Sequence, residues 1–243
     1  VLGTTGSFDY PTTSTAYDRF FSGGNFVSPL FSGVFYFFGS DITVTKFNAT
    51  GSSLLGSTYV GGTGNDGLNT DNALMYNYGD GFRGEIVIDT NGNAIIASTT
   101  NSTNFPVTPN APQASYGGGY SDACLFKLSP NLQSLTWSSY FGGINSDAGY
   151  GVQFDSKGDV FLTGGTRSNN LPISNAAYDT TFNGLEDGYI AKFNFASNSI
   201  LASTYLGTTS YDQSYFVQLN NNDEVYVTGQ TMGSYPISSG VYS

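Results

Sequence analysis

The chain predicts an all-β fold, a β-propeller of four-stranded antiparallel blades, and three observations carry that prediction. The composition suits pleated sheets and tight turns: 18 Tyr, 19 Phe and 32 Gly, with only 10% charged residues against roughly 25% in an average soluble domain. Landmarks recur in order, with Tyr140 and Tyr205 standing 65 residues apart at the head of matching segments. No stretch of comparable length shows a 3.6-residue apolar period with capping signals, which argues against helices.

Four strand-like runs make up each unit. Gly149 to Phe154 and Asp159 to Thr166 flank Asp155-Ser-Lys-Gly158, a tight hairpin turn matched by Asp89-Thr-Asn-Gly92 and, in degenerate form, by Asn220-Asn-Asn-Asp223. A loop carrying a proline follows. The third run is Asp187 to Phe193, matched by Asp41 to Phe47 and Asp122 to Leu128, and the fourth is Ile200 to Tyr205.

An aromatic residue or Leu precedes proline four times, at Tyr10-Pro11, Phe105-Pro106, Leu171-Pro172 and Tyr235-Pro236, with spacings of 95, 66 and 64 residues. Two aromatic insertions, near 27–38 and 68–82, account for the long first interval. By phase the repeats run 1–95, 96–161 and 162–226, with 227–243 a partial fourth. A four-stranded unit cannot hide both faces alone, so neighbours must stack, and radial closure is the usual solution. A propeller typically needs four to eight blades. The expectation is therefore that the chain is part of a longer polypeptide, or that further blades from the same or another chain complete the ring.

The order Tyr-Phe-Gly-Gly, Gly-Asp-Val-Phe-Leu-Thr-Gly, Leu-Pro, Ala-Tyr and Asp-x-x-x-x-Lys-Phe, read from Tyr140 to Phe193, resembles the SBBP repeat, a β-propeller repeat of bacterial and archaeal proteins. The resemblance covers nearly the whole chain outside the insertions. It implies a secreted or cell-surface protein, often from Bacteroidetes, exported by type IX secretion and serving adhesion or protein binding. It implies no reaction.

Charge narrows the partners. A formal net charge of −11 with only seven Lys and Arg repels a phosphate backbone, so nucleic acid is not expected. No apolar run approaches the roughly 20 residues of a membrane-spanning helix, so membrane insertion is not expected either. The chain contains no His, which removes Ser-His-Asp and Cys-His catalysis, and its only Glu residues are Glu85, Glu186 and Glu224. The single Cys124 permits no internal disulfide and reads as a buried thiol. With neither signal peptide nor initiator Met, the chain reads as mature or partial.

The recurrent acids read as structural. Asp66, Asp147 and Asp212 each stand seven residues after the Tyr of Tyr-x-Gly, while Asp41, Asp122 and Asp187 each open the third strand five residues before a Lys. Pro106, Pro172 and Pro236 belong to the same set of repeated positions. Such Asp side chains suit turns, where they accept backbone N–H bonds. Calcium is the alternative at the hairpins, where Asp89, Asn91 and Asn93, and Asp155 and Asp159, place oxygens at alternating positions. Catalytic residues and organic cofactors are not indicated.

The insertions offer Phe35, Tyr36, Phe37 and Phe38, and Met75, Tyr76 and Tyr78, either as interaction residues or as cover for an apolar edge. The leading expectation is a non-enzymatic structural, adhesive or protein-interaction module with protein partners. Carbohydrate binding to cell-surface glycans, a role as secretion cargo or filament subunit, and glycan cleavage are its rivals.

Overall fold

The computed structural model describes residues 1–30, 32–77 and 79–240; Tyr78 lies outside the described residues. Strands β1 (Leu2–Thr5), β2 (Asp41–Phe47) and β3 (Leu54–Val60) form the first sheet. The second holds β4 (Glu85–Ile88), β5 (Ala94–Thr100), β6 (Asp122–Leu128) and β7 (Leu135–Phe141). β8 (Asp147–Phe154), β9 (Val160–Thr166), β10 (Asp187–Asn194) and β11 (Ser199–Leu206) form the third, and β12 (Asp212–Leu219) with β13 (Val225–Thr231) forms the last. Within each sheet, strands adjacent in sequence pair antiparallel, so each sheet is a meander.

The tight turns explain the pairing. In Asp89–Gly92 and Asp155–Gly158 the glycines adopt φ of +81° and +82°, a left-handed conformation that costs a residue without Cβ nothing. Asp223 takes the same place in the third turn at φ +61°, within the tolerance of a short polar side chain. All three turns close alike: Gly92 donates to Asp89 O at 2.9 Å, Gly158 to Asp155 O at 3.0 Å, and Asp223 to Asn220 O at 3.0 Å. The degenerate turn thus keeps its geometry.

Alternation along the strands decides the packing. On β5, Ala94 and Ile96 face the first sheet, packing with Ile42, Val44 and Val60, whereas Ile95 and Ala97 face the third, packing with Val152, Leu162 and Ala191. β6 divides likewise, Cys124, Phe126 and Leu128 to one side and Ala123 and Leu125 to the other. The second sheet is therefore apolar on both faces. Face-on stacking of meanders is the established architecture; among the described residues the stack does not close into a ring.

The sheets and the sequence period are out of phase. The boundaries at 96, 162 and 227 fall within β5, β9 and β13, because a repeat can be cut at any phase whereas hydrogen bonding alone defines a sheet. The two insertions behave differently. Most of the described residues of 27–38 lie on the surface, tied by a bridge between Val27 and Tyr36. Between β3 and β4 the described residues of 68–82 include two short 3-10 turns, Asn72–Leu74 and Asp80–Phe82, and Leu68, Leu74 and Met75 are buried.

That inward segment reaches the third and last sheets. The Leu74 carbonyl accepts from Gln213 Nε2 at 2.9 Å, Asn69 Nδ2 donates to the Tyr150 hydroxyl at 3.0 Å, and the Arg83 guanidinium lies 3.8 Å above the Tyr215 ring. Tyr150 and Tyr215 sit at matching β-bulges in β8 and β12, where the ladder shifts register between Gly149 and Gly151 and between Ser214 and Phe216.

Candidate functional site

The repeated aspartates meet in pairs where the strands begin. Asp41, Asp122 and Asp187 head β2, β6 and β10, while Asp147 and Asp212 head β8 and β12 and Asp66 bridges to Thr100. The glycine of Tyr-x-Gly stands between the partners. A Cβ on Gly142 would lie 2.6 Å from Asp122 Oδ1 and 2.8 Å from Asp147 Oδ2, and one on Gly61 would lie 2.8 Å from Asp41 Oδ1 and 2.7 Å from Asp66 Oδ2. Gly207 approaches Asp187 in the same manner, at 2.5 Å.

Donors from the adjacent turn and from distant loops together hold these carboxylates. Asp66 accepts from the Gly62 N–H at 2.8 Å, the Ser102 hydroxyl at 2.8 Å and the Thr100 hydroxyl. Asp147 accepts from the Gly143 N–H at 2.7 Å, the Ser168 hydroxyl at 2.9 Å and the Thr166 hydroxyl. Asp41 takes the Ser22 N–H at 2.6 Å, Asp122 the Gly117 N–H at 2.6 Å, and Asp187 the Asn183 N–H at 2.8 Å. The Gly62, Gly143, Gly117 and Asn183 N–H bonds lie within local turns, whereas Ser22, Thr100, Ser102, Thr166 and Ser168 reach in from 19 to 36 residues away.

Burial dominates their electrostatics. It lifts Asp66 and Asp147 to about 7, against the opposing pull of their hydrogen bonds. Asp122 rises to about 8 through burial and then the neighbouring Asp147, and Asp41 and Asp187 reach about 6. All five are buried. Carboxylates so enclosed cannot touch a substrate; they organise the corner.

The proline landmarks gain a partner that the sequence reading did not assign. The Tyr140 hydroxyl donates to Ser102 O at 2.7 Å and accepts from the Phe105 N–H at 2.8 Å, immediately before Pro106. Tyr205 binds Ser168 O at 2.8 Å and the Leu171 N–H at 3.1 Å before Pro172, and Tyr59 binds Ser7 O and the Tyr10 N–H before Pro11. A tyrosine two residues before the repeated glycine of Tyr-x-Gly was the available signal. Pro236 lies in the same loop of the last unit.

Calcium does not fit the two hairpins. Asp89 Oδ1 accepts the Asn91 and Asn93 N–H groups, each at 2.9 Å, and Oδ2 pairs with Lys127 at 2.8 Å. Lys192 stands 2.7 Å from Asp155 and 3.2 Å from Asp159. An ammonium thus fills the place a cation would take. Burial would raise Asp89, but the Lys127 and Asn93 bonds outweigh it and hold the carboxyl at about 2. Among the described residues no three His, Cys, Asp or Glu side chains gather to bind a metal.

The first insertion presents an aromatic surface. Phe8, Phe26, Phe35, Phe37 and Phe38 are 58–69% exposed, and Phe8, Phe35, Phe37 and Phe38 line one cleft with Tyr36. Phe26, Phe35 and Phe37 associate in pairs, with centroids 5.8 to 6.5 Å apart. In the second insertion Met75 is buried and Tyr76 packs on Tyr211 with centroids 5.0 Å apart. No α-helix is long and apolar enough to cross a membrane among the described residues. No family model matches the chain and none of the curated proteins compared with it is similar, so what this surface does rests on its geometry.

Proposed function

We propose that the chain forms consecutive blades of a β-propeller that works as a non-enzymatic, extracellular or cell-surface binding module, with the aromatic insertion as its contact face. The exposed rings carry this reading. At roughly 200 Å² per phenylalanine, the five of them leave some 600 Å² of apolar surface in water, as much as the largest patch on a typical monomer. Water-exposed aromatic area on that scale favours a partner. The burial of the carboxylate pairs supports a non-enzymatic role over glycan cleavage, which needs two carboxyl groups facing the sugar.

A carbohydrate partner is the second reading, favoured by the near-parallel rings of Phe26 and Phe35, inclined at 21°, and of Phe35 and Phe37, inclined at 28°. Ring faces so arranged suit the apolar faces of sugars.

Beads coated with the protein or with Phe35→Ser/Phe37→Ser/Phe38→Ser are scored for adhesion to cells and to a glycan array. Adhesion by the wild type that the variant loses is expected, and the array separates glycan from protein partners. Equal adhesion of the two forms, or none by the wild type, overturns the reading.

A further inference from the structure

The first sheet keeps one edge open. β1 pairs with β2 as β5 pairs with β6 and β9 with β10, but among the described residues no strand lies on its other side, where β5 meets β4 and β9 meets β8. Val1 and Thr45 exchange both backbone hydrogen bonds, so alternation along the antiparallel ladder turns the N–H and C=O groups of Leu2 and Thr4 toward that edge. A cleft of about 490 Å³ is lined by Leu2, Gly3 and Thr4 and by Gly84, Glu85 and Ile86 around the start of β4.

The next two units show what such an edge holds. Thr100 and Ser102 direct their hydroxyls to Asp66, and Thr166 and Ser168 direct theirs to Asp147 at the head of β8. The residue between each Thr and Ser donates to the carbonyl before the aspartate, Asn101 to Asn65 O at 2.8 Å and Arg167 to Ser146 O at 2.9 Å. Thr99 O accepts the Gly67 N–H, one residue past Asp66, at 2.8 Å.

The first unit carries the same set of groups. Thr4, Thr5, Gly6 and Ser7 stand 95 residues before Thr99, Thr100, Asn101 and Ser102. Their local bonds match: the Ser7 N–H donates to Thr5 Oγ1 at 3.2 Å, as Ser102 does to Thr100 at 2.9 Å, and Tyr59 donates to Ser7 O as Tyr140 does to Ser102 O. No aspartate answers them. Among the described residues the Thr5 and Ser7 hydroxyls and the Gly6 N–H donate to no acceptor, and Ser7 is exposed whereas Ser102 and Ser168 are buried.

We propose that the β1 edge is a strand-acceptor site for the first strand of a further unit of this repeat, of the form Gly-Gly-x-x-x-Asp-x-x-Tyr-x-Val-Gln seen from Gly142 to Gln153. The incoming aspartate takes the Thr5 and Ser7 hydroxyls, the carbonyl before it takes the Gly6 N–H, and the N–H after it meets Thr4 O. Main-chain pairing along β1 supplies affinity and the aspartate supplies specificity. The second glycine is required by space: a Cβ on Gly143 would lie 2.6 Å from the Cβ of Ser168, the counterpart of Ser7. The β12 segment, with Thr208 in that phase, does not fit. The inference rests on the consecutive-blade reading and is independent of the aromatic face.

Fluorescence anisotropy of a labelled peptide with the sequence of residues 142–154, titrated with the protein, tests the site. Saturable one-to-one binding is expected. Thr5→Val/Ser7→Ala in the protein, or Asp147→Ala in the peptide, should each weaken it at least about tenfold, as the loss of hydrogen bonds to a carboxylate predicts. A peptide with the sequence of residues 207–219 should bind less tightly than the first. Absence of saturable binding, binding unchanged by either substitution, or equal binding of the second peptide or of a scrambled one overturns the proposal. The peptide substitution decides even where the protein variant does not fold, and adhesion of the coated beads is read separately, so that either reading can fail without the other.

Discussion

The Thr208 hydroxyl donates to the Asp212 carboxylate at 2.7 Å, replacing a bond that one repeat earlier comes from a different loop. There Ser168 donates to Asp147 at 2.9 Å, and the residue in the phase of Thr208 is Gly143. In the last unit the residue in the phase of Ser168 is Gly233. The exchange is reciprocal for steric reasons: a Cβ on Gly143 would lie 2.6 Å from the Ser168 Cβ, and a Cβ on Gly233 would lie 1.9 Å from Thr208 Oγ1. Each corner has room for one hydroxyl-bearing side chain.

Thr208→Gly and Gly233→Ser should therefore each destabilise the last unit, the first by removing a donor to a buried carboxylate and the second by collision. The double variant should regain most of the loss. A double-mutant cycle in urea is expected to give a favourable coupling of about 1–3 kcal/mol. Additive single effects would contradict the exchange.

Tyr140→Phe leaves the Ser102 carbonyl and the Phe105 N–H without their shared partner in a buried loop. The expected loss is about 1–3 kcal/mol, read from the shift of the urea midpoint at constant m. Tyr205→Phe should behave alike at Leu171-Pro172. A change below about 0.5 kcal/mol in both would show that the loops hold without the hydroxyl.

Stability should fall as pH rises across the neutral range. The folded-state values of Asp66 and Asp147, about 7, and Asp122, about 8, lie above the ordinary 3.8, so the native state holds protons more tightly than the unfolded chain. Their contribution is complete below about pH 4 and disappears as pH passes 7 to 8. Each contributes a slope of up to about 1.4 kcal/mol per pH unit within that window. Urea midpoints that are flat or rising from pH 4.5 to 8 would contradict the burial of these groups.

The two insertions should respond oppositely to substitution. Leu74→Ala opens a cavity beneath Tyr150 and Tyr215 and is expected to cost about 2–5 kcal/mol. Phe37→Ser, at a ring 69% exposed, should change stability by no more than about 0.5 kcal/mol. Thermal unfolding of both variants decides the matter, and a reversed order would mean that the first insertion is the buried one.

Much of the fold was legible because its determinants are local. The turn residues 89–92 and 155–158, the strand runs beside them and the apolar alternation on β5 and β6 act within a few residues, and repetition exposes each of them several times. Asp66, Asp147 and Asp122 each take one N–H from a residue four or five positions away, the kind of bond a local pattern suggests, but the donors that reach Asp41, Asp66 and Asp147 from 18 to 36 residues away follow no local rule. The partner of Tyr140 was not legible either, since Ser102 and Phe105 lie more than thirty residues away and no local rule joins them. Nor was the difference between the insertions, both aromatic in sequence.

By itself the sequence determined an all-β chain of repeated antiparallel units, the positions of its hairpins and the absence of histidine chemistry. Only the tertiary structure decided that Leu74 packs with Tyr150 and Tyr215 while Phe35, Phe37 and Phe38 stay in water, and that Asp187 and Asp212 keep unpaired oxygens where Asp41 and Asp66 do not. The reason is range. Hydrogen bonds within a turn depend on neighbours in the chain, whereas burial and the balance of donors at a corner depend on which distant loops the stacked sheets bring together.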